Sequence, residues 1–346
     1  MLASEKFIEP RGDDSKSLSL FASLTPHMQA LDLFLQEEVE RFEPEIQEMV
    51  RYCLGSGGKR LRPALVFFAG WRDGRTIPAA LVKVAAVIEL VHLATLVHDD
   101  ILDSASVRHG RTTASRKFGS ETAVLLGDAL FAHAVNLSTD FPGSEVCRLV
   151  SRATRRVCAG EIAQTARRGA FDITLTEYFR IIELKTAELF RVSCFLGARL
   201  GEYSDEFCEA AGRFGVSLGT GYQIYDDLTD FFGKEEQTGK TLGTDLINGK
   251  YTLPVILLLQ VLGDEEKAEF CRDVCGNREE KVEKWLARMV ESGVHSDVAG
   301  TVLEKAREAE QAIEPFENLP PVSNLLWLSD FLKSRTTTME AMSSRG

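Results

Sequence analysis

The chain lacks several features that mark common protein classes. Its 346 residues carry a formal net charge of −12 at pH 7, and this lack of basic excess argues against nucleic acid as a partner. Its seven cysteines lack the paired spacing of zinc ligands, so we interpret them as buried free thiols in a reducing compartment. Residues 1–25 are polar, without the apolar segment of a secretory or transit peptide. We therefore expect a cytoplasmic protein with a flexible N-terminal arm over residues 1–25.

Long apolar runs and strand patterns are also missing. The most apolar stretch, 81–97, is interrupted by Lys83, Glu89 and His92, so it is typical of a buried helix and not of a transmembrane segment. Apolar residues recur mostly at spacings of three and four, without sustained strand alternation. The pattern predicts an all-α fold, one large helical bundle forming a single domain over residues 26–346. The predicted helices span residues 28–54, 63–69, 81–102, 120–138, 145–168, 176–200, 205–232, 253–262, 279–291, 296–310 and 323–333.

Two acidic motifs stand out in this helical sequence. Each has the spacing Asp-Asp-x-x-Asp, and the copies consist of Asp99, Asp100 and Asp103, and of Asp226, Asp227 and Asp230. On a helix the first and last aspartates of a copy share a face. Two carboxylates about 5 Å apart repel by roughly 3 kcal/mol at an effective dielectric constant of about 20. Burying four of them in one cleft requires positive charge, and magnesium prefers carboxylate, water and phosphate oxygens. The alternative is a solvated helix end, but each copy follows a mostly apolar run.

Cations gather in two glycine-containing segments. The first is GGKRLRP at 57–63, in which glycines allow close approach of a ligand and the cations can bind phosphate oxygens. It is not a Walker loop, because no Ser or Thr follows Lys59 and no strand precedes it. The second is the turn Arg108, His109, Gly110 and Arg111, just after the first acidic motif. For both segments the alternative is a solvated basic loop.

Further cationic side chains lie near the acidic motifs in the sequence. Lys185 lies inside an apolar helix, where its amine either reaches outward to water or holds an anion. Lys240 and Lys250 lie in or beside the glycine-containing segment 233–249, and such a loop is more often solvated than functional. His92 lies seven residues before Asp99, on the same helix face. A lone histidine is more often structural than a ligand.

The combined pattern restricts the chemistry. No candidate Ser/His/Asp or Cys/His set is arranged by local sequence, so a leaving diphosphate is the expected charged group. Metal ions and lysines that stabilise a departing diphosphate would generate a carbocation, with electrostatic preorganisation as the main catalytic effect. The apolar helix that leads to the first acidic motif suggests a phosphorylated substrate with an apolar tail.

With these motifs in this order, the sequence resembles the trans-isoprenyl diphosphate synthases, or polyprenyl synthetases, of the medium- and long-chain type. The resemblance spans residues from about 55 to 259. It is carried by GGKRLRP at 57–63, DDILD at 99–103, KTA at 185–187, YQIYDDLTDF at 222–231 and GKYTLP at 249–254. It implies a homodimeric, isoprenoid-synthase-type bundle with a central substrate cavity. It also implies magnesium-dependent head-to-tail condensation of isopentenyl diphosphate with an allylic diphosphate, with manganese as an alternative metal.

The resemblance also implies residue roles. Asp99, Asp103 and Asp226 would hold magnesium on the allylic diphosphate, with Asp100, Asp227 and Asp230 in the same acidic clusters. The residues that would bind and ionise the allylic substrate are Arg108, Lys185 with its neighbour Thr186, Gln223, Lys240 and Lys250. Those that would hold isopentenyl diphosphate are Lys59, Arg62 and His92.

One position departs from the family pattern. The family usually has a second arginine directly after the first in the cationic turn, and this arginine contributes to the isopentenyl site. Here that position is His109, and histidine is only partly charged at neutral pH. Either the affinity for isopentenyl diphosphate is lower, or Arg111 compensates.

The residues on the helix turns before Asp99 give an expectation for product length. Helix geometry places Ala94 and Thr95 about one turn before Asp99, with Val91 and Ile88 on successive turns below. In the family, bulky aromatic residues at the first of these positions stop short products. Small residues here therefore resemble enzymes that make hexaprenyl to decaprenyl chains. Phe131 on the next helix could close the channel instead, which leaves geranylgeranyl diphosphate as the alternative product.

Two alternatives belong to other functional classes. A class I terpene cyclase also ionises a prenyl diphosphate at an aspartate motif, but it needs no second diphosphate site. Lys59 and Arg62 therefore argue against a cyclase. A non-catalytic partner subunit of a heteromeric synthase would be expected to lose aspartates from one motif, whereas both motifs are complete.

Overall fold

A computed structural model describes residues 15–55, 58–72, 76–108, 110–233, 243–275 and 282–343. It confirms the all-α prediction, because within these ranges the only strands form one hairpin of two strands with two residues each. The first half contains α1 (Ser15–Val39), α2 (Pro44–Leu54), α3 (Leu61–Ala69), α4 (Ala79–Leu102), β1 (Val107–Arg108), β2 (Arg111–Thr112), α5 (Ala114–Phe118), α6 (Ser120–Ser138) and α7 (Glu145–Ala166). The second half contains α8 (Leu175–Ile182), a π-helix (Glu183–Ala187), α9 (Glu188–Leu200), α10 (Asp205–Phe232), α11 (Thr244–Ile247), α12 (Leu253–Val261), α13 (Asp264–Cys275), α14 (Val282–Glu291), α15 (Val294–Ile313), a 3-10 turn (Glu314–Phe316) and α16 (Pro320–Ser343).

Local sequence explains several helix ends. Pro44 lies in the first turn of α2, where a missing N–H costs nothing because it would have no partner in the helix. Thr174 and Glu177 form a capping box before α8, in which each side chain bonds to the backbone of the other residue. Gly110, with φ +72°, lies in the turn of the hairpin that pairs Val107 with Thr112.

The chain divides into two compact units, each made of three segments. The first unit contains Met1–Thr154, Leu189–Gly212 and Ile313–Trp327. The second contains Arg155–Glu188, Arg213–Ala312 and Leu328–Gly346. The single domain over residues 26–346 stays a prediction.

The structure corrects several details of the predicted elements, of which three follow. The flexible arm was predicted to reach residue 25, but α1 begins at Ser15 and Leu24 is buried. The prediction is therefore wrong for residues 15–25, and residues 1–14 lie outside the described residues. The helix predicted over residues 28–54 is two helices, because α1 ends at Val39 and α2 starts at Pro44. Helix α13 was not predicted, because its sequence is acidic and only weakly apolar.

Helix α4 is the buried helix that the sequence predicted. By length and composition it could cross a membrane, but 72% of its most apolar window is buried inside the protein. It packs against α1, α3 and α6 of the first unit. Its C-terminal end carries the first acidic motif, so the core of this unit fixes where that motif lies.

The cysteines differ in exposure. Cys53, Cys194 and Cys208 are buried, whereas Cys158 is exposed, so the prediction of buried thiols is wrong for Cys158. Burial raises the pKa of Cys53 to about 12 and raises that of Cys194 further. These two thiols are therefore poor nucleophiles at neutral pH.

Candidate active site

Within the first unit, the open side of α4 carries the first acidic motif. His92, Thr95 and Asp99 are partly exposed along this helix, as is Asp103 just beyond it. Asp103 is the C-cap residue, and its backbone N–H donates to the carbonyl of Asp99 at 2.8 Å. The chain turns away at Ser104, whose φ is +52°. Asp99 and Asp103 are thus one turn apart, as the spacing predicts.

Asp100 has a different environment from its two neighbours in the motif. It is 5% exposed, and its Oδ1 accepts a hydrogen bond from Nε of Arg108 at 2.6 Å. Arg108 lies in the first strand of the hairpin, and the turn at Ser104 and Ala105, which directly follows α4, brings it back to the end of this helix. Asp100 therefore holds the guanidinium of Arg108, a residue of the predicted allylic set.

Arg60 anchors the glycine-containing loop before α3. Its φ of +47° places it in the left-handed region. Its guanidinium lies 3.2 Å from Oε1 of Glu89 and 3.7 Å from the Asp32 carboxylate, and it donates to the carbonyl of Leu54 at 3.4 Å. Burial raises the pKa of Asp32, and the charge of Arg60 opposes this shift. Because Arg60 is held by these groups, the exposed cation of the loop is its neighbour Lys59. Gly57 lies outside the described residues.

Arg62 and His92 meet, as two members of the predicted isopentenyl set. Nη1 of Arg62 lies 2.9 Å from Nε2 of His92. The guanidinium also lies over the ring of Phe190, 5.2 Å from its centroid, so a cation–π contact contributes to its position. The contact with Arg62 brings a cation to the same face of α4 that carries Asp99.

Arg111 holds the hairpin to the end of α2. Its guanidinium bonds to the carbonyl of Gly55 and lies 4.6 Å from the centroid of the Tyr52 ring. Lys117 approaches the same ring at 3.8 Å. His109 lies outside the described residues, so compensation for it by Arg111 stays a prediction.

The predicted chain-length residues fall into two groups. Ala94, Val91 and Ile88 are at most 1% exposed. Thr95 is partly exposed, and its hydroxyl donates to the carbonyl of His92 at 2.6 Å. Phe131 of α6 is half-buried, with its ring centroid 5.7 Å from that of His98, the residue before Asp99. The control of product length by these residues stays a prediction.

The three aspartates of the second motif, in the second unit, also differ. Asp226 is exposed, whereas Asp227 is 2% exposed. Asp230 accepts hydrogen bonds from two backbone N–H groups: that of Asp245 reaches its Oδ2 at 3.0 Å, and that of Gly243 reaches its carbonyl at 2.7 Å. Asp230 therefore fixes the start of the short helix α11.

Asp227 is a buried hydrogen-bond acceptor. Its Oδ2 accepts from the hydroxyl of Tyr178 at 2.5 Å, and its Oδ1 accepts from Nε2 of Gln223 at 2.9 Å. Burial raises the pKa of Asp227 well above its usual value, and the charges of Asp245 and Asp226 add to this, while the two hydrogen bonds oppose it. The pKa of Tyr178 is also raised, chiefly by burial and then by the charge of Asp227.

The π-helix directs Lys185 and Thr186 to different helices. Nζ of Lys185 donates to Oε1 of Gln164 at 2.9 Å and forms an ion pair with Glu161, both on α7. The hydroxyl of Thr186 donates to Oε1 of Gln223 on α10 at 2.7 Å. A π-turn inside an α-helix is frequent at functional sites.

The loop after the second motif is described only in part. Lys250 is 9% exposed, and its backbone N–H donates to the carbonyl of Asp245 at 2.8 Å. Lys240 lies outside the described residues. The sequence interpretation missed Tyr178, Glu161, Gln164 and Asp245. For Tyr178 the available signal was its position seven residues before Lys185, about two turns along an apolar segment.

The accessible aspartates of each motif suit a metal that is shared with a substrate. Within the described part of the chain, no group of three or more His, Cys, Asp or Glu side chains forms a metal site by itself. Magnesium is usually held by one or two carboxylates together with substrate phosphates and water. In the first unit the partly exposed Asp99 and Asp103 fit this mode of binding, and in the second unit the exposed Asp226 fits it as well.

The sequence and the fold are similar to those of several known proteins. A family model described as polyprenyl synthetase matches residues 43–291. The chain is 32% identical over 295 residues to an all-trans-nonaprenyl-diphosphate synthase (geranyl-diphosphate specific) of Rhodobacter capsulatus, covering 85% of this chain and 90% of the relative. It is also 32% identical over 299 residues to a geranylgeranyl diphosphate synthase of Methanosarcina mazei, covering 84% and 90%. A polyprenyl synthase from Caulobacter crescentus, crystallised with calcium and isoprenyl diphosphate, matches with a TM-score of 0.86 and 29% identity, covering 94% of this chain and 99% of that one.

Proposed function

Because this chain belongs to the polyprenyl synthetase family, we propose that it condenses isopentenyl diphosphate head-to-tail with an allylic diphosphate in a magnesium-dependent reaction. The family membership makes it a prenyltransferase with the all-α isoprenoid synthase fold, and its homologues make trans-polyprenyl diphosphates. The expected product is therefore longer than farnesyl diphosphate. The resemblance found in the sequence is confirmed.

One observation supports the proposed roles of the residues on and beside α4. The open face of α4 presents Asp99 and Asp103 at one end and His92, in contact with Arg62, two turns earlier. Carboxylates that suit a metal and cations that suit an anion thus share one helix face. This arrangement fits two diphosphate groups with different means of recognition, and a terpene cyclase would need only one.

The metal is proposed to bind at accessible carboxylates of the two acidic motifs. Asp99, Asp103 and Asp226 would hold Mg²⁺, or Mn²⁺ as an alternative, on the diphosphate of the allylic substrate. The bound metal would neutralise the charge that develops on the departing diphosphate. Asp230 would belong to the acidic cluster of Asp226, from which it is one helical turn away. Asp100 acts on the same substrate through Arg108, whose guanidinium it holds.

The cationic residues are proposed to divide between the two substrates. Lys185 and Arg108 would stabilise the leaving diphosphate, with Thr186, Gln223, Lys240 and Lys250 completing the allylic set. Lys59, Arg62 and His92 would hold isopentenyl diphosphate, with His109 at the position of the usual arginine. Preorganised cations of this kind stabilise charge without rearrangement during the reaction.

Product length is proposed to lie in the hexaprenyl to decaprenyl range. Ala94 and Thr95, about one turn before Asp99, are both small, so neither of these two side chains would stop the growing chain. Geranylgeranyl diphosphate remains the alternative, and one relative at 32% identity carries that name. We also propose a homodimer that works in the cytoplasm.

The experiment is a product assay with the purified protein alone, Mg²⁺, isopentenyl diphosphate and an allylic primer, with products resolved by length. A ladder ending between six and ten isoprene units is expected, and an end at geranylgeranyl diphosphate would favour the alternative.

Asp226→Ala should lower kcat by about 100-fold or more, the scale for removing one preorganised charge-stabilising group. Asp264→Ala removes an exposed carboxylate at the start of α13 and should change kcat little. No condensation by the wild-type protein alone would contradict the proposal and favour a partner subunit.

A further inference from the structure

A chain of three hydrogen bonds connects α8, the π-helix and α10 inside the second unit. The hydroxyl of Tyr178 donates to Asp227, Asp227 accepts from Nε2 of Gln223, and Oε1 of Gln223 accepts from Thr186. The distances are 2.5, 2.9 and 2.7 Å. This series of hydrogen bonds thus begins at Tyr178, a tyrosine outside the motifs. It continues through Asp227 to Gln223 and Thr186, two residues of the proposed allylic set.

Burial makes the loss of a partner in this series of hydrogen bonds costly. Tyr178 is 3% exposed, Asp227 2% and Thr186 6%, so water has little access to the bond between Tyr178 and Asp227, whereas Gln223 is partly exposed. A buried network that is fully satisfied holds one arrangement, and an unsatisfied member is costly. The amide of Gln223 is therefore held with its N–H₂ towards Asp227 and its oxygen towards Thr186.

We propose that Tyr178 is a positioning residue for the allylic diphosphate site, an inference that rests on the proposed function. Its hydroxyl fixes the carboxylate of Asp227, and Asp227 in turn fixes the amide of Gln223. Both oxygens of Asp227 accept hydrogen bonds from the protein, so Asp227 belongs to this scaffold and not to the metal ligands. Tyr178 acts through Asp227 and does not touch the substrate.

The test is Tyr178→Phe, which keeps the ring and removes the hydroxyl. Without this donor, one oxygen of Asp227 loses its partner and the amide of Gln223 can turn. The KM for the allylic diphosphate should rise by about 10-fold, the change produced by about 1.4 kcal/mol. The KM for isopentenyl diphosphate should change by less than about 2-fold, because its proposed residues are not in this network. Calorimetric titration with an unreactive thio-analogue of the allylic diphosphate and Mg²⁺ should show the same 10-fold loss of affinity.

Tyr203→Phe is the matched control. The hydroxyl of Tyr203 donates to the backbone carbonyl of Trp71 in the first unit, so its loss should lower the melting temperature and leave both KM values unchanged. If Tyr178→Phe behaves like Tyr203→Phe, the proposal is overturned.

Asp227→Asn provides a second test that does not depend on the folding of Tyr178→Phe. It keeps the size of the side chain and an acceptor oxygen while it removes the charge. The Mg²⁺ concentration for half-maximal activity should stay within about 2-fold of the wild-type value. An increase of 10-fold or more would make Asp227 a metal ligand and overturn its assignment to the scaffold. If the wild-type protein shows neither condensation nor analogue binding, the proposed function fails, and this inference fails with it.

Discussion

At the residue scale, His27 on α1 couples stability to pH. Its imidazole stacks on the indole of Trp71 with ring centroids 4.7 Å apart. Burial lowers the pKa of His27 below its usual value, while a hydrogen bond with the carbonyl of Ser23 opposes the shift. The folded state therefore binds fewer protons than the unfolded state over the interval between the two pKa values, and stability rises with pH there.

We predict that this contribution is fully present above the unfolded-state pKa of about 6.5 and is lost as pH falls through the folded-state pKa. The melting temperature of the wild-type protein should therefore decrease between pH 7 and pH 5. The decrease should be smaller in His27→Gln, which cannot gain a proton. Differential scanning calorimetry gives the melting temperature of each protein as a function of pH. Parallel curves for the wild type and His27→Gln would exclude a role for His27.

The sequence could predict single-residue positions but not partners. Helix periodicity is local, so the spacing of Asp99 and Asp103 was enough to place them one turn apart. Arg108 reaches Asp100 only because the chain reverses in the turn after α4, and Arg60 reaches Glu89 across 29 residues of sequence. These contacts depend on packing between elements, for which a motif contains no information.

At the scale of elements, the π-helix depends on a glycine in α7. A Cβ atom at Gly160 would lie 2.6 Å from the backbone nitrogen of Lys185 and 2.9 Å from Cβ of Leu184. Neither atom can move without moving the backbone of the π-helix. The helical periodicity of the sequence predicted one helix over residues 176–200, since a single wide turn leaves little trace in such a pattern.

We predict that Gly160→Ala lowers the free energy of unfolding by about 1–3 kcal/mol, the usual cost of overpacking. It should also raise the KM for the allylic diphosphate, because it displaces Lys185. Gly300→Ala is the matched control, since among the described residues no atom outside the neighbouring backbone of α15 lies within 4 Å of a Cβ added at Gly300. That change should stabilise the protein by about 0.4–1 kcal/mol. Urea unfolding measures the free energy of unfolding of both variants. Equal changes in Gly160→Ala and Gly300→Ala would rule out a special role for the close approach of α7 to the π-helix.

At the scale of the whole molecule, the proposed homodimer needs an apolar surface. Val124 and Leu125 on α6 are 42% and 69% exposed, two adjacent apolar side chains that contact with a second copy could cover. The sequence predicted α6 but not this exposure, because the helix is apolar on several sides and its pattern does not show which side is covered.

We predict that Leu125→Glu shifts the protein from dimer to monomer, because a dimer would bury the new charge without a partner. Leu33→Glu introduces the same charge at a leucine of α1 that is 61% exposed and should leave the dimer intact. Light scattering after size-exclusion chromatography gives the masses. A monomeric wild-type protein, or equal effects of the two changes, would contradict the prediction.

The tryptophans make the two units optically distinguishable. Of the three in the chain, Trp71 and Trp327 belong to the first unit and Trp285 to the second. Trp285 is 2% exposed and its indole N–H donates to Asp273. A Trp71→Phe/Trp327→Phe protein would emit from the second unit alone, and Trp285→Phe would leave emission from the first. Fluorescence could thus record whether the two units unfold at the same denaturant concentration, using reporters already present in the sequence.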